Sequence, residues 1–330
     1  VGTGRSGTTL LRMMLNAHPR VYLTHEASFY VSNTAAKRLD ARGWLERYFQ
    51  SPNFLWLKVD ADEIRRRVPE GLPRKDVRQA FDAIMETKAA QYGKPRFGDK
   101  TPSHSAFLKQ IFSDYPDARV VHVVRDPRAT VASLLRMPWG ASTPVLNNVY
   151  CRRQLAEVRP FFDQILEVRL EDLVSEPETT MRRVLDHIGE EWDPTVLNHP
   201  DHAPLDDLPP FPWFAGAASR PTPRPGPPSW MKDLSPAWIR RIEKTNQESL
   251  TRYGYEPAQL DPEPTPKEVR AARRGWFQEN WQCARKIQQL SKMLYQKTPP
   301  DPDEGVAILL SLNPTAWKHY PGFEIPRVPR

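Results

Sequence analysis

Ten residues at the start of the chain constrain its fold more than any others. Val1-Gly2-Thr3-Gly4-Arg5-Ser6-Gly7-Thr8-Thr9-Leu10 reads as the end of a strand, a glycine-rich loop and the start of a helix. Such a loop presents backbone N–H groups and a helix N-terminus, so it binds a phosphate or sulfate anion. It departs from a Walker A loop in one informative place. On the pattern G-x-x-x-x-G-K-[ST], Gly2, Gly7 and Thr9 fit, but Thr8 stands where the lysine belongs. That lysine reaches the β- and γ-phosphates of a nucleoside triphosphate. With Thr8 in its place and Arg5 two residues before Gly7, the loop suits a nucleotide without a γ-phosphate.

A second segment supports an anion site. Val120 to Val124 is a β-branched run suited to a parallel strand buried on both faces. It runs through Arg125-Asp126-Pro127-Arg128 into a helix that Asp126 can cap and Pro127 can open. Ser133 follows Arg125 by eight residues, about two helical turns. A loop arginine and a helix hydroxyl can then meet on one anion; the bland alternative is a structural ion pair for Arg125 and a surface position for Ser133.

In this order and at this separation, the two segments resemble the 3′-phosphoadenosine-5′-phosphosulfate (PAPS)-dependent sulfotransferases. Arg5-Ser6-Gly7-Thr8-Thr9 is similar to that family's 5′-phosphosulfate loop, and Arg125 through Ser133 to its 3′-phosphate motif. The resemblance spans roughly residues 1–257. Within the family it is nearest to the tyrosylprotein sulfotransferase type. Arg5 through His18-Pro19 continues into Thr24-His25-Glu26, and the resemblance maps the catalytic base to Glu26. Gly98-Asp99-Lys100-Thr101-Pro102 resembles the segment carrying the catalytic lysine, which maps to Lys100. Small-molecule sulfotransferases of the cytosol place a catalytic histidine two residues after that lysine; here the position is Pro102, and His104 is displaced from it. The family's recurring Tyr-Glu-Asp-Leu segment is matched by Leu170-Glu171-Asp172-Leu173, with Leu170 where the tyrosine is usual and Arg169 as a candidate substitute.

The chemistry asks for the same residue types. An acceptor hydroxyl must lose its proton to a base within hydrogen-bond reach, for which Glu26 serves. Charge grows on the departing phosphate, for which Lys100 and Arg5 serve, with Thr8, Thr9 and backbone N–H groups completing the cradle. Glu26 follows a strand over Val21 to Leu23, at the carboxyl edge of the sheet where open α/β sheets bind ligands. Lys100 follows a Gly-Asp pair and precedes Thr-Pro, a turn context that holds a side chain at a strand–helix junction. Fixed lysine and arginine charges take the place of magnesium, and no Cys/His cluster with ligand spacing is present, so no metal is expected.

The expected architecture is α/β, a P-loop-like three-layer fold with a mainly parallel central sheet and a helical C-terminal extension. The sulfotransferase domain is expected over 1–257, opening on the last residue of a first strand whose earlier residues precede Val1. Helices are expected over Thr9 to Ala17, much of 29–94, Ser105 to Asp114, Glu178 to Ile188 and Pro236 to Tyr253, with a further strand over Ile165 to Leu170. Residues 200–236 hold eleven prolines and read as a lid over the cofactor, with Arg220 and Arg224 as its cationic candidates. Residues 258–266 read as a proline-rich linker. In 267–330, Val269, Trp276, Cys283 and Leu290 recur every seven residues, which predicts one amphipathic helix over 267–297. That helix is expected on the core domain or on a second copy in a homodimer; its basic face leaves a membrane surface open.

A formal charge of +7 suits an anionic cofactor but is too dispersed to argue nucleic acid. Two cysteines make no disulfide framework and, with no run of about twenty apolar residues, point to a reducing, cytoplasmic setting. Three function classes follow: a sulfotransferase using PAPS, a P-loop-type nucleotide kinase or phosphotransferase, and a nucleotide-binding homologue without catalysis. The acceptor stays open among protein tyrosine, glycan, lipid and small molecule.

Overall fold

The computed structural model describes residues 1–35, 41–73, 76–204, 208–214, 229–272 and 301–328, with a few positions between 281 and 289. Four short strands carry the site: β1 Val21–His25, β2 Arg96–Lys100, β3 Val120–Val124 and β4 Ile165–Arg169. All pairing is parallel, β1 with β2 and β3 with β4. Val1 and Gly2 lie between the two pairs. Gly2 pairs in parallel with Val123, and its N–H donates to the Pro102 carbonyl at 3.3 Å, just beyond β2. The glycine-rich loop therefore leaves the middle of the parallel array, beside the end of β3.

Helices cover both faces, as a sheet of β-branched strands requires. Val121 and Val123 face helix α1 (Thr8–Ala17) and the helix Pro177–Ile188, in a core with Leu11, Met14, Met181 and Val184. Val120 points the other way, with Ile165, Leu108 and Val158. The α/β three-layer organisation read from the sequence is the one observed. A second core of Phe29, Trp44, Tyr48, Ile64, Phe81 and Ile84 ties the helices between β1 and β2 together.

Lys100 stands at the strand–helix junction its context suggests: Arg96-Phe97-Gly98-Asp99-Lys100 has little apolar pattern and becomes β2 by pairing with β1, Lys100 opposite His25, and a 3₁₀ turn follows from Pro102. Two expectations are corrected. Pro236 to Tyr253 is two helices, Pro236–Thr245 and Gln247–Tyr253. At the break, Asn246 Nδ2 donates to the Ile242 carbonyl at 2.7 Å, a side chain competing with the helix ladder. Ser105 to Asp114 divides likewise into a 3₁₀ turn, Pro102–Phe107, and a helix, Leu108–Asp114.

Residues 258–266 are strapped to the domain. Glu243 accepts the Ala258 N–H at 2.8 Å, and Arg240 pairs with Glu263 at 2.5 Å. Of the helix expected over 267–297, Pro266–Ala271 is helical with a full capping box at Thr265 and Glu268, and most of the remainder lies outside the described residues. A helix over Pro302–Leu310 packs back on the domain through Val306 and Leu310. Among the described residues, no helix is long and apolar enough to cross a membrane.

Candidate active site

The loop is built as its sequence suggests. Gly7 caps α1 at φ 102°, a left-handed conformation that only glycine adopts readily, and no side chain caps the helix. The adjacent Leu170 packs directly on it: a Cβ at Gly7 would come within 2.5 Å of Leu170 Cδ1. Leucine at the place of the usual tyrosine thus acts on the loop's shape. Arg169 instead lies over the Tyr255 ring at 4.9 Å. Arg5 also holds a positive φ, 73°, which costs a non-glycine residue strain and marks a loop held for a purpose.

The two motifs meet at Arg5. Its Nε donates to Ser133 Oγ at 3.1 Å and its Nη1 reaches the Trp213 carbonyl at 3.4 Å. Arg125 Nη1 donates to the Arg5 carbonyl at 3.0 Å. Burial pushes the Arg5 guanidinium down to about 10 and lowers that of Arg125, so both are cations held against desolvation. Two half-buried guanidiniums joined through the Arg5 backbone, with the buried Ser133, form a ready anion site. Ser6 Oγ is buried with no hydrogen-bond partner, a polar atom left over for a ligand. Asp126 caps the Pro127–Leu135 helix as expected. Arg128 belongs to structure: it is buried between Asp126 at 2.8 Å and Glu243 at 2.6 Å.

At the other mouth of the loop stands the pair Glu26 and Lys100. Lys100 Nζ donates to Glu26 Oε1 at 2.6 Å. The lysine side chain is 5% exposed and the glutamate 33%, so the carboxylate is the member open to a visitor. Burial lowers the Lys100 pKa, and the Glu26 charge opposes that fall.

The turn leaving β1 is templated by the end of β2. Three successive N–H groups, of Glu26, Ala27 and Ser28, donate to the Lys100 carbonyl, Asp99 Oδ1 and Thr101 Oγ1 at 2.9, 3.0 and 3.0 Å. Asn53 Nδ2 holds the Glu26 carbonyl at 2.8 Å. Glu26 and Ser28 adopt positive φ, 40° and 50°, and these bonds over-determine that strained turn. Burial would raise Asp99, yet hydrogen bonds from His104, Thr24 and Thr101 hold it down at about 2.

His104 is engaged elsewhere. Its Nδ1 lies 3.0 Å from Asp99 Oδ2, and its Nε2 accepts the Tyr30 N–H at 3.3 Å. Both ring nitrogens serve the turn that positions Glu26. His25 is buried edge-on to Phe214 at 4.5 Å, and burial beside Lys100 lowers its pKa well below the usual range, leaving it neutral.

A cavity of about 480 Å³ joins these parts. Gly4, Arg5, Thr8, Thr9 and Glu26 line it together with the rings of Trp44, Trp56, Phe211 and Trp213, the last of which meets Arg5 through its carbonyl. Tyr150, whose hydroxyl accepts the Gly4 N–H at 3.4 Å, and Trp139 stand beside the loop. The helix Pro302–Leu310 forms part of the outer wall. Sequence reasoning missed Asp99, Asn53, Tyr150 and this helix. The apolar run from Val306 to Leu310 within the proline-rich tail was the available signal for the last. Arg220 and Arg224 lie outside the described residues. Among the described residues, no group of His, Cys, Asp and Glu side chains gathers in an arrangement for a metal ion.

Comparison with known proteins agrees with the geometry. Residues 1–194 match the model of a family described as the sulfotransferase family. The chain is 30% identical over 213 residues to protein-tyrosine sulfotransferase A of Caenorhabditis elegans, covering 60% of this chain and 51% of that protein. It is 30% identical over 107 residues to the omega-hydroxy-beta-dihydromenaquinone-9 sulfotransferase Stf3 of Mycobacterium bovis, covering 27% of this chain and 28% of that protein. The sulfotransferase domain of the Synechococcus PCC 7002 olefin synthase superposes with a TM-score of 0.48 at 19% identity, covering 77% of this chain and 93% of that one. The chain spans about half the length or less of the curated relatives it matches at greatest extent.

Proposed function

We propose, from the premise that this chain belongs to the sulfotransferase family, that it moves a sulfuryl group from PAPS to an acceptor hydroxyl, with Glu26 as general base. The observation that carries this reading is the Glu26–Lys100 pair, at 2.6 Å, on the cavity shared with the phosphate loop.

The residues fit PAPS as a donor substrate. The uncapped α1 terminus, Ser6, Gly7, Thr8 and Thr9 receive the 5′-phosphosulfate. Arg125 and Ser133 receive the 3′-phosphate, and Arg5, in the loop and bonded to Ser133, faces the departing phosphate with Lys100. The acceptor enters from the aromatic end. Its oxygen attacks sulfur in line as the bond from sulfur to the bridging phosphate oxygen breaks. Glu26 takes the acceptor's proton, which requires the carboxylate to turn from Lys100 toward the hydroxyl. Lys100, released from Glu26, faces the charge growing on the departing phosphate, in a pocket where its burial makes that contact strong. The products are the sulfated acceptor and adenosine 3′,5′-bisphosphate (PAP).

The alternative, a P-loop-type kinase, is disfavoured by Thr8 at the lysine position and by the Arg125–Ser133 site. The test is transfer of radiolabelled sulfate from PAPS to 2-naphthol and to a tyrosine peptide, with and without magnesium. Labelled product without magnesium is expected. Absence of transfer to either acceptor, with phosphate transfer from ATP in magnesium, would move the chain to the kinase class.

A further inference from the structure

Part of the acceptor side of the cavity is built by segments of the chain outside the family match. That match ends at residue 194, whereas Phe211, Trp213, Phe214 and the helix Pro302–Leu310 all lie beyond it and all line the cavity. The helix is fixed on one side: Val306 and Leu310 are buried with Met137, Phe211 and Trp213, and Trp56 and Trp139 pack against them. Gly305, Val306, Leu309 and Leu310 all touch the cavity, and Gly305 and Leu309, four residues apart, share one helix face. Leu309 is 41% exposed, a large apolar side chain left on the cavity wall. A Cβ at Gly305 would meet nothing within 4 Å, so the missing side chain leaves room.

The chemistry of this end is one-sided. Arg5 and Glu26 belong to the transfer machinery. The remaining walls are mainly Trp44, Tyr48, Trp56, Phe211, Trp213 and Leu309, with the polar side chains of Arg47, Gln50, Ser51, Asn53 and Asp301 among them. A polypeptide acceptor brings N–H and C=O groups on both sides of its tyrosine, and each costs free energy if buried without a partner. The rings and aliphatic side chains that make up most of the wall give such groups no partner, and Ser51 and Asn53 are already bonded within the protein. They suit an apolar body that carries one hydroxyl, and about 480 Å³ is the size of a small-molecule pocket.

We propose that the helix Pro302–Leu310 is the acceptor-selecting wall of the site, and that the acceptor is a hydroxyl on an apolar small molecule rather than a tyrosine within an acidic polypeptide. This rests on the sulfuryl-transfer reading above. Gly305 and Leu309 are the specificity-determining positions. Gly305 leaves the width for a fused-ring or branched body, and Leu309 covers it.

The test uses the full chain with PAPS and two acceptors, 2-naphthol and a peptide with one tyrosine flanked by glutamates. The expected kcat/KM for 2-naphthol exceeds that for the peptide on the order of a hundredfold. Gly305→Leu should raise the KM for 2-naphthol about tenfold, and Gly305→Ala by less, since filling a pocket by methylenes acts at this scale. Neither should change the dissociation constant of PAP measured by calorimetry. Both remove a glycine from a helix interior, which favours folding, and the melting temperature of each checks that. Peptide preference, or Gly305→Leu with unchanged KM for 2-naphthol, overturns the inference while leaving sulfuryl transfer in place. Binding of 2-naphthol to the PAP complex, read as quenching of tryptophan fluorescence and weakened by Gly305→Leu, needs no turnover. Such binding without transfer to any acceptor would sink the catalytic reading and keep the selecting wall.

Discussion

The two ends of the cavity are built on opposite plans. The phosphate end consists of Gly2 to Thr9 and Arg125 to Ser133, two contiguous stretches at the ends of neighbouring strands, with positive φ at Arg5 and Gly7 and half-buried cations. The aromatic end collects side chains from residues 44–56, 209–214 and 302–310, separate short helical and turn segments brought together by packing. Where the ligand is an invariant charged group, backbone geometry does the recognition and the sequence shows it as a motif. Where the ligand is an apolar body, scattered side chains do it. Glu26 and Lys100 stand on the boundary, positioned from the rigid side.

The contrast makes the variants separable. The largest effect is expected at the boundary. Glu26→Gln keeps the side chain's shape but removes its ability to take a proton, and turnover should drop about 10²–10⁴-fold. If Glu26→Gln retains near-normal turnover and His104→Ala loses it, the base is the histidine, and its two hydrogen bonds do not confine it to the turn. Next comes the phosphate end. Arg125→Ala removes a charge-assisted contact worth about 1.5–3 kcal/mol, so PAP should bind about 10–150-fold more weakly while AMP is little affected. Equal loss for both nucleotides would detach Arg125 from the 3′-phosphate.

A smaller effect tests the template behind Glu26. Asp99 is held at about 2 against an ordinary 3.8. Its folded pKa lies below its unfolded one, so its contribution is fully present above about pH 4 and is lost as pH falls through about 2. The contribution is about 2 kcal/mol. Asp99→Asn should therefore lower stability at pH 7 by that order in denaturant unfolding, and the gap to the parent protein should narrow from pH 4 toward pH 2. A gap constant with pH would mean the charge plays no part. Smallest is a shift in a profile. Burial lowers Lys100, so the alkaline loss of turnover should begin below the ordinary lysine value of 10.5, as the cation is lost. Lys100→Arg should move that limb upward at some cost in rate; a limb that does not move belongs to another group.

Legibility in the sequence divides along the same line. The strand over Val120 to Val124, its capped helix and the loop onto α1 are local: β-branched residues, Asp-Pro and glycines state their structure in adjacent letters. The sequence set Ser133 with Arg125 and Arg5 in the other motif; the bond from Arg5 to Ser133 that joins the two motifs is seen only in the fold. β2 was illegible because Arg96 to Lys100 becomes a strand through its partner β1 rather than through its own pattern. Asp99 was in view inside the Gly-Asp-Lys stretch but its role needs three dimensions, since it accepts from Thr24 and Ala27 more than seventy residues away. The wall at Pro302–Leu310 was hardest. Its residues meet Trp56 and Trp139 only in the folded chain, and the proline-rich surroundings hid a short apolar helix.

The central claim is that one cavity holds a nucleotide end and a chemical centre that can be separated. It is tested most directly by calorimetric titration of PAP and AMP into the parent protein and into Glu26→Gln, with turnover from PAPS measured on the same samples. The predicted result is strong preference for PAP over AMP, a PAP affinity within a few-fold in the two proteins, and turnover lost only in Glu26→Gln. Equal affinity for PAP and AMP, or PAP binding that collapses together with turnover in Glu26→Gln, would contradict it.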